Sequence, residues 1–533
     1  MHKLINKVHD KFDEMTVGGM QPEHLPAVPP LNAPMPPKML YRYRKQRGVN
    51  LGSWFSLENW LTPSLFAHAV APKASEHDVV KGMSPQDAKQ MLEKHWDNFI
   101  TDSDWKWMGA HGVNSVRLPI GYFHMLAGFE PESVRALLKG TDYADYASVY
   151  AGAWPRILAA IEKAASYNIG VLVDLHAVPG SQNKDSHSGL SGGAVGFWHG
   201  HHAKSNQKKT IDILVALAES IAKYDNVVGL ELMNEPENNP GLQEFYKKAI
   251  SAIRRCKNDE LAMLPIYLGD GWATMHFANW IGNHQSWHNF LVLDHHLYRC
   301  FTKKDHNTSP EELVQRLTPG EHGATANFLQ RASEAAKGSI IVGEWSGALN
   351  PHSFQLSSIQ SKLEARKQYT HAEWRAFEKY TAGYFFWTLK KEGGPDPGWC
   401  LFTAIEKGSM PPSLDPLQAA GHRPPSLNDL NAYLQRVMPV AVRNHTQYWE
   451  NTGGSYEPWR FQDGFSQAWI DSIAFLQARA EVGFKAELAS VRLAAHDQAK
   501  GQSPLSWEFT HGYMQGADEF TRAIYGQSQG AAA

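Results

Sequence analysis

Between residues 48 and 388, eight short runs rich in Val, Ile, Leu and Phe recur, with longer helical patterns between them. They occupy residues 48–51, 115–119, 170–175, 227–233, 265–268, 291–294, 339–342 and 383–388. Mostly free of polar alternation, they read as strands buried on both faces, as in a parallel sheet covered by helices. The segments between them carry apolar residues at helical spacing. After Ser84-Pro85, a pairing that suits an N-cap and first turn, Ala88, Met91, Leu92, Trp96, Phe99 and Ile100 recur three and four apart. Similar periods cover residues 154–165, 211–222, 242–255 and 373–380. Eight strand–helix units predict an α/β chain folded as a (β/α)8 TIM barrel over residues 46–408. A doubly wound open sheet is the rival, but no G-x-G-x-x-G follows the first run and no P-loop occurs.

The barrel segment has two flanks. Residues 22–37 hold seven prolines, too many for a helix or a central strand, so residues 1–45 read as an extended lead-in lying against the body. A second proline-rich stretch, residues 410–425, leads into long amphipathic patterns at 469–484 and 486–496. Residues 409–533 are therefore expected to be a linker and a helical extension packed on the barrel. Met1–Phe12 is broken by charges, which suits a short amphipathic helix better than a secretory signal. A formal net charge of −3 excludes a polybasic nucleic-acid surface as the main business of the chain. No run of about 18 apolar residues exists to span a membrane. Cys256, Cys300 and Cys400 form neither a C-x-x-C nor a disulfide framework, so a reducing, cytoplasmic setting is expected.

Reactive side chains of a (β/α)8 barrel sit at the C-terminal ends of its strands. Here the second strand carries Arg117 and the third Asp174 and His176. The fourth ends in Asn234-Glu235-Pro236, the sixth in His296 and Tyr298, the seventh in Glu344 and the eighth in Trp387. Cleaving a glycosidic bond takes two carboxyl groups flanking it, one acid and one base or nucleophile. Glu235 and Glu344, three strands apart, are placed to face each other across the barrel mouth. A lone strand-end glutamate is more often a salt-bridged rim residue; the pair, with Asn234 beside the first, points to catalysis. Arg117 and Tyr298 are the neighbours that would hold one carboxylate ionised.

Other chemistries fit less well. Asp294-His295-His296 or His199, His201 and His202 invite a metal, but a barrel metallohydrolase brings His-x-His on its first strand, which here reads Gly48-Val49-Asn50-Leu51. No G-x-S-x-G elbow supports a serine hydrolase. No metal or cofactor is expected. Eighteen tryptophans suit a site that stacks on sugar rings, with Trp54, Trp60, Trp198, Trp272 and Trp399 in strand-end loops.

Several blocks together closely resemble the fungal exo-β-1,3-glucanases of glycoside hydrolase family 5. They are RGVNLGSWFSLENWLTPSLF (47–66), SVRLPIGY (115–122), DLHAVPGSQN (174–183), GLELMNEP (229–236), DHHLY (294–298), VGEWSGAL (342–349) and GYFFWTLK (383–390). The resemblance implies a retaining mechanism with Glu235 as acid/base and Glu344 as nucleophile. It implies that Arg117, His176, Asn234, His296, Tyr298 and Trp387 complete the site, with Trp387 flooring the −1 subsite. Glu58 matches the residue that bonds the far hydroxyls of the terminal glucose and favours exo attack. Asn183 and Trp399 join the candidate binding set. Glu235 is expected to titrate high beside a second buried carboxylate.

The chain departs from the family pattern at Ser53, usually glycine, at Asn59, usually proline, and in the loop after Asn183. Together with its long C-terminal extension, this likens it to the intracellular fungal branch. The expected substrate is a β-1,3-glucan or its oligosaccharides. The alternatives are a β-1,6-glucanase, a β-glucosidase for aryl, lipid or steryl glucosides or a diglycosidase, with the aglycone held by the altered loops and the C-terminal cap, and a sugar-binding pseudoenzyme.

Overall fold

The computed structural model describes residues 25–526 apart from Asn32 and Lys257, so the helix expected over Met1–Phe12 lies outside the described residues. Eight strands close into a barrel in sequence order: β1 (Gln46–Asn50), β2 (Ser115–Gly121), β3 (Gly170–Ala177), β4 (Val227–Glu231), β5 (Ile266–Gly269), β6 (Leu291–Arg299), β7 (Ile340–Leu349) and β8 (Gly383–Phe386). All pairings are parallel, and β8 hydrogen-bonds back to β1, which leaves no sheet edge. The expected helices are present. Ser84 caps Pro85–Asn98 by accepting from the Asp87 N–H, and the other four periods match Ala153–Ser166, Ala203–Ile221, Leu242–Arg254 and Lys362–Tyr380, the second and third running one residue past the helix end.

Four irregularities in the ladder fall near the mouth. The register slips between Ile120 and Gly121 on β2, between His295 and His296 and again between Leu297 and Arg299 on β6, and between Val342 and Trp345 on β7. An extra residue in a strand re-aims the side chains beyond it. His296 consequently pairs with Glu344 rather than Gly343.

The barrel interior is layered. At the N-terminal end of the strands, Leu172, Val228, Tyr267, Val292, Ile341 and Phe385 form an apolar floor with Tyr43, Phe290 and Phe484. Above it lies a buried polar layer of Asn50, Arg117, Asp174, Glu231 and Asp294. The residues alternate by two along β3 and β6 (Leu172, Asp174, His176; Val292, Asp294, His296), as inward-facing positions of a strand must.

Both flanks seal the floor. From the lead-in, Val28, Met39 and Tyr43 pack into it, and a helix not foreseen in the proline-rich stretch, Pro37–Arg42, precedes β1. Arg42 donates to the Met263, Ala222 and Val227 carbonyls, which ties this neck to the barrel base. The C-terminal helices Leu427–Thr452, Pro458–Gln477, Lys485–Lys500 and Trp507–Tyr525 assemble beneath. The amphipathic stretch expected at 469–484 is not one helix. It stops at Gln477, and the following segment runs beside the neck, where Val482 bridges Arg44 and Gly483 donates to the Tyr43 carbonyl. Arg47 at the foot of β1 pairs with both Glu378 and Glu481, at 2.8 and 2.7 Å. The extension thus meets the barrel at the end opposite the strand C-termini, which corrects the expectation that it helps to hold an aglycone. No helix among the described residues is long and apolar enough to cross a membrane.

Candidate active site

The polar layer is organised by one guanidinium. Arg117 is fully buried and donates through Nε and Nη2 to Glu231 (2.7 and 3.1 Å), through Nη1 to Glu344 Oε1 (2.8 Å) and Asn50 Oδ1 (3.1 Å), and through Nη2 to Asn234 Oδ1 (2.7 Å). Asp174 and Asp294 lie 3.1 and 3.8 Å from it. One guanidinium facing four buried carboxylates leaves a surplus of negative charge, which favours a proton on Glu231. Burial first, with the charges of Asp174 and Asp294, raises its pKa well above the ordinary value despite Arg117.

Glu235 and Glu344 stand above this layer, and an oxygen of each, with a nitrogen of His296, falls within a 4.8 Å group. Each oxygen of Glu344 has its own donor, Arg117 on Oε1 and the Tyr298 hydroxyl on Oε2 at 2.8 Å. His296 Nδ1 lies between the pair, 2.8 Å from Glu235 Oε1 and 3.5 Å from Glu344 Oε2. Glu235 adopts a left-handed backbone, φ 41°, unusual for a residue with a side chain. Asn183 steadies it, donating to the Glu235 carbonyl at 2.8 Å and accepting the Asp185 N–H at 2.9 Å. Asn183, a candidate binding residue, engages its amide with the backbone of the site.

His176 donates through Nδ1 to Asp174 at 2.6 Å, and its ring is stacked parallel to Trp387 at 6.0 Å. Glu58 accepts the Trp60 indole N–H at 2.8 Å, and burial outweighs the nearby imidazoles to raise its pKa. Ser53, at the position usually glycine, has φ 59°, and its hydroxyl accepts the Glu58 N–H at 3.0 Å. Around the rim Trp399 contacts Trp60, Tyr298 and Phe301, with ring centroids 5.0, 5.4 and 6.1 Å apart. Trp272 is exposed and Trp198 half-buried, whereas Trp54 is core, its indole bonded to the Trp96 carbonyl. The His199, His201 and His202 group is exposed and His295 pairs with Asp270; between Glu231 and Asp294 lies the Arg117 guanidinium.

The expectation that Glu235 titrates high is overturned. Burial pushes its pKa up, but the hydrogen bond from His296 and the charges of His296, His187 and His176 bring it to about 2. His187 was not foreseen. It sits on the turn Ser186–Ser188 after β3, with Nε2 3.4 Å from Glu235 Oε2. Burial lowers its pKa, but Asp185 and the charges of Glu235, Glu58 and Glu344 prevail and raise it to about 9. The only sign in the sequence was the departure of that loop from the family pattern.

The family model described as cellulase (glycosyl hydrolase family 5) matches residues 75–393, which include every strand but β1. The chain belongs to glycosyl hydrolase family 5. As a family 5 member it is a glycoside hydrolase. A second model, described as the C-terminal domain of glucan 1,3-beta-glucosidase 3, matches residues 431–524. Among relatives, glucan 1,3-beta-glucosidase 3 of Schizosaccharomyces pombe is 32% identical over 89% of this chain and 94% of its own length. A glycosyl hydrolase of Saccharomyces cerevisiae, described as uncharacterized, is 30% identical over 97% of this chain and 100% of its own. Among solved structures, the rutinosidase from Aspergillus niger shares the fold with a TM-score of 0.53, at 19% identity over 69% of this chain and 98% of that one.

Proposed function

We propose that this family 5 enzyme is a retaining, exo-acting β-glucosidase of β-1,3-glucan or its oligosaccharides, with Glu344 as nucleophile and Glu235 as acid/base. The observation that carries this reading is the approach of Glu235 and Glu344 to within a 4.8 Å group. Retaining enzymes keep their carboxyl groups about 5–5.5 Å apart, whereas inverting ones leave about 6.5–9.5 Å for a water. Glu344 attacks the anomeric carbon while the departing oxygen is protonated through Glu235. A glucosyl ester forms, and water deprotonated by Glu235 then releases β-glucose. Arg117 and Tyr298 orient the nucleophile, Asn234 takes the sugar 2-hydroxyl, His296 positions both carboxyls, and His176 and Trp387 wall the −1 site. Asn183 acts through the Glu235 backbone. Glu58 closes the far side of that site, which supports attack at chain ends. The relative from S. pombe, named a glucan 1,3-beta-glucosidase and aligned over nearly the whole chain, supports the linkage. Three unpaired cysteines support a cytoplasmic setting.

The test is proton NMR of the anomeric signal during digestion of a laminari-oligosaccharide. Early β-glucose that later mutarotates, absent with Glu344→Gln, is the expected result. Early α-glucose defeats the mechanism, and turnover of aryl or steryl glucosides without laminari-oligosaccharides defeats the substrate.

A further inference from the structure

A general acid must hold a proton when substrate arrives, yet both oxygens of Glu235 lie beside imidazole nitrogens: His296 Nδ1 2.8 Å from Oε1 and His187 Nε2 3.4 Å from Oε2. Oε1 is taken by the hydrogen bond from His296, so the proton for the glycosidic oxygen has to travel by way of Oε2. His187 is the group beside that oxygen.

The other ring nitrogen of His187 keeps its hydrogen and its partner in both charge states. Its Nδ1 lies 3.2 Å from Asn234 Nδ2 and 3.3 Å from His176 Nε2. Asn234 Oδ1 accepts from Arg117, so its Nδ2 is a donor and offers Nδ1–H no acceptor. His176 donates through Nδ1 to Asp174, so its Nε2 is an acceptor, and it satisfies Nδ1–H of a charged His187. Because the proton given up is the one on Nε2, Nδ1–H and its bond to His176 Nε2 persist when His187 is neutral.

Resting on the reading of Glu235 as acid/base, we propose that His187 stores the proton that Glu235 delivers. In the first step the proton moves from His187 Nε2 to Glu235 Oε2 and on to the glycosidic oxygen as its bond to the anomeric carbon breaks and Glu344 bonds to that carbon. His187 is left neutral and Glu235 remains a carboxylate. In the second step water bonds to the anomeric carbon, the ester to Glu344 breaks, and the water proton returns through Oε2 to Nε2. His187 touches no reacting atom; it positions the proton. The charged and titratable groups facing it are His176 from β3, Glu235 after β4, Glu344 from β7, Glu58 after β1 and Asp185 on its own turn, whose side chain is 71% exposed. Facing Glu235 from β6 is His296.

The experiment compares kcat/KM, which reports the first step, for phenyl β-glucoside and for 2,4-dinitrophenyl β-glucoside, whose leaving group departs without a proton. With His187→Gln the phenyl-to-dinitrophenyl ratio is expected to fall about 10²-fold, at the low end of what general acid catalysis contributes. The alkaline limb on the phenyl substrate should move down by more than about one pH unit. Asp185→Asn, at an exposed side chain, should move the limb in the same direction by less, and it decides the matter if His187→Gln does not fold. An unchanged ratio with His187→Gln, or an unmoved limb with Asp185→Asn, overturns the proposal. Glu235→Gln is the control on the reading beneath it: an unchanged ratio there means that Glu235 is not the acid, whatever His187 does.

Discussion

Arg117 shows how much of this site hangs on one side chain. Its guanidinium touches Glu231, Asp174 and Glu344 at 2.7, 3.1 and 2.8 Å with no solvent in reach. Removing one partner of a buried ion network costs about 3–5 kcal/mol because the rest are left uncompensated. Arg117→Met is therefore expected to lower the melting temperature sharply, and Arg117→Lys, which keeps the charge but loses the planar fork, to fold with little activity. Calorimetry and kcat together check this; an active Arg117→Lys enzyme would contradict it. Ser53 offers a second test at this scale. Its left-handed backbone suits glycine, yet its hydroxyl holds the Glu58 N–H. Ser53→Ala keeps the strain and loses the bond, so it should cost about 1–3 kcal/mol and raise KM for laminaribiose more than Ser53→Gly does. Much of the site at this scale was legible, since polar residues at strand ends stood out against apolar runs. Asp174 and Asp294 follow from His176 and His296 by the period of two. Glu231 and His187 do not, because one depends on a slip between β3 and β4 at Val171 and Leu172 and the other on a loop path.

At the level of strands and turns, two glycines fix close approaches. A Cβ on Gly343 would lie 2.1 Å from the Asp294 carboxylate, beside the slip that turns Glu344 toward His296. One on Gly483 would lie 2.5 Å from the Lys45 backbone, where the C-terminal segment meets the neck. Gly483→Ala should loosen the extension while sparing the strands above it. Limited proteolysis near residue 480, faster in the variant at equal glucosidase activity, is the expected reading. Eight strands and their helices were legible because most buried strands carry short apolar runs broken only by the polar residues of the site. The ladder slips were not, since one extra residue carries no compositional mark, and neither was the break after Gln477, where the amphipathic pattern runs on although the helix ends.

For the molecule as a whole, the sealed base carries its own pH signature. Glu487 is buried there, and burial, opposed only by the charge of Lys337, raises its pKa to about 8. Glu373, behind the barrel wall, is raised to about 8 for the same reason. A carboxyl whose folded pKa exceeds its unfolded one binds more protons when folded, so stability falls as pH rises from about 4.5 through 8. Glu487→Gln should melt near the wild type at pH 5 and above it at pH 8; parallel curves would refute this.

The neck backbone at residues 43–45 pairs with residues 481–484, and Phe484 completes the packing around Phe290 and Tyr43. During synthesis, therefore, every strand leaves the ribosome before the segment that closes the base exists. Leu172, Val292 and Ile341 stay accessible from below for as long as translation from Phe386 to Phe484 takes. Order of emergence makes the last helices a folding checkpoint: a nascent chain interrupted before them displays sticky barrel interior to chaperones and to its neighbours, whatever the state of its catalytic mouth.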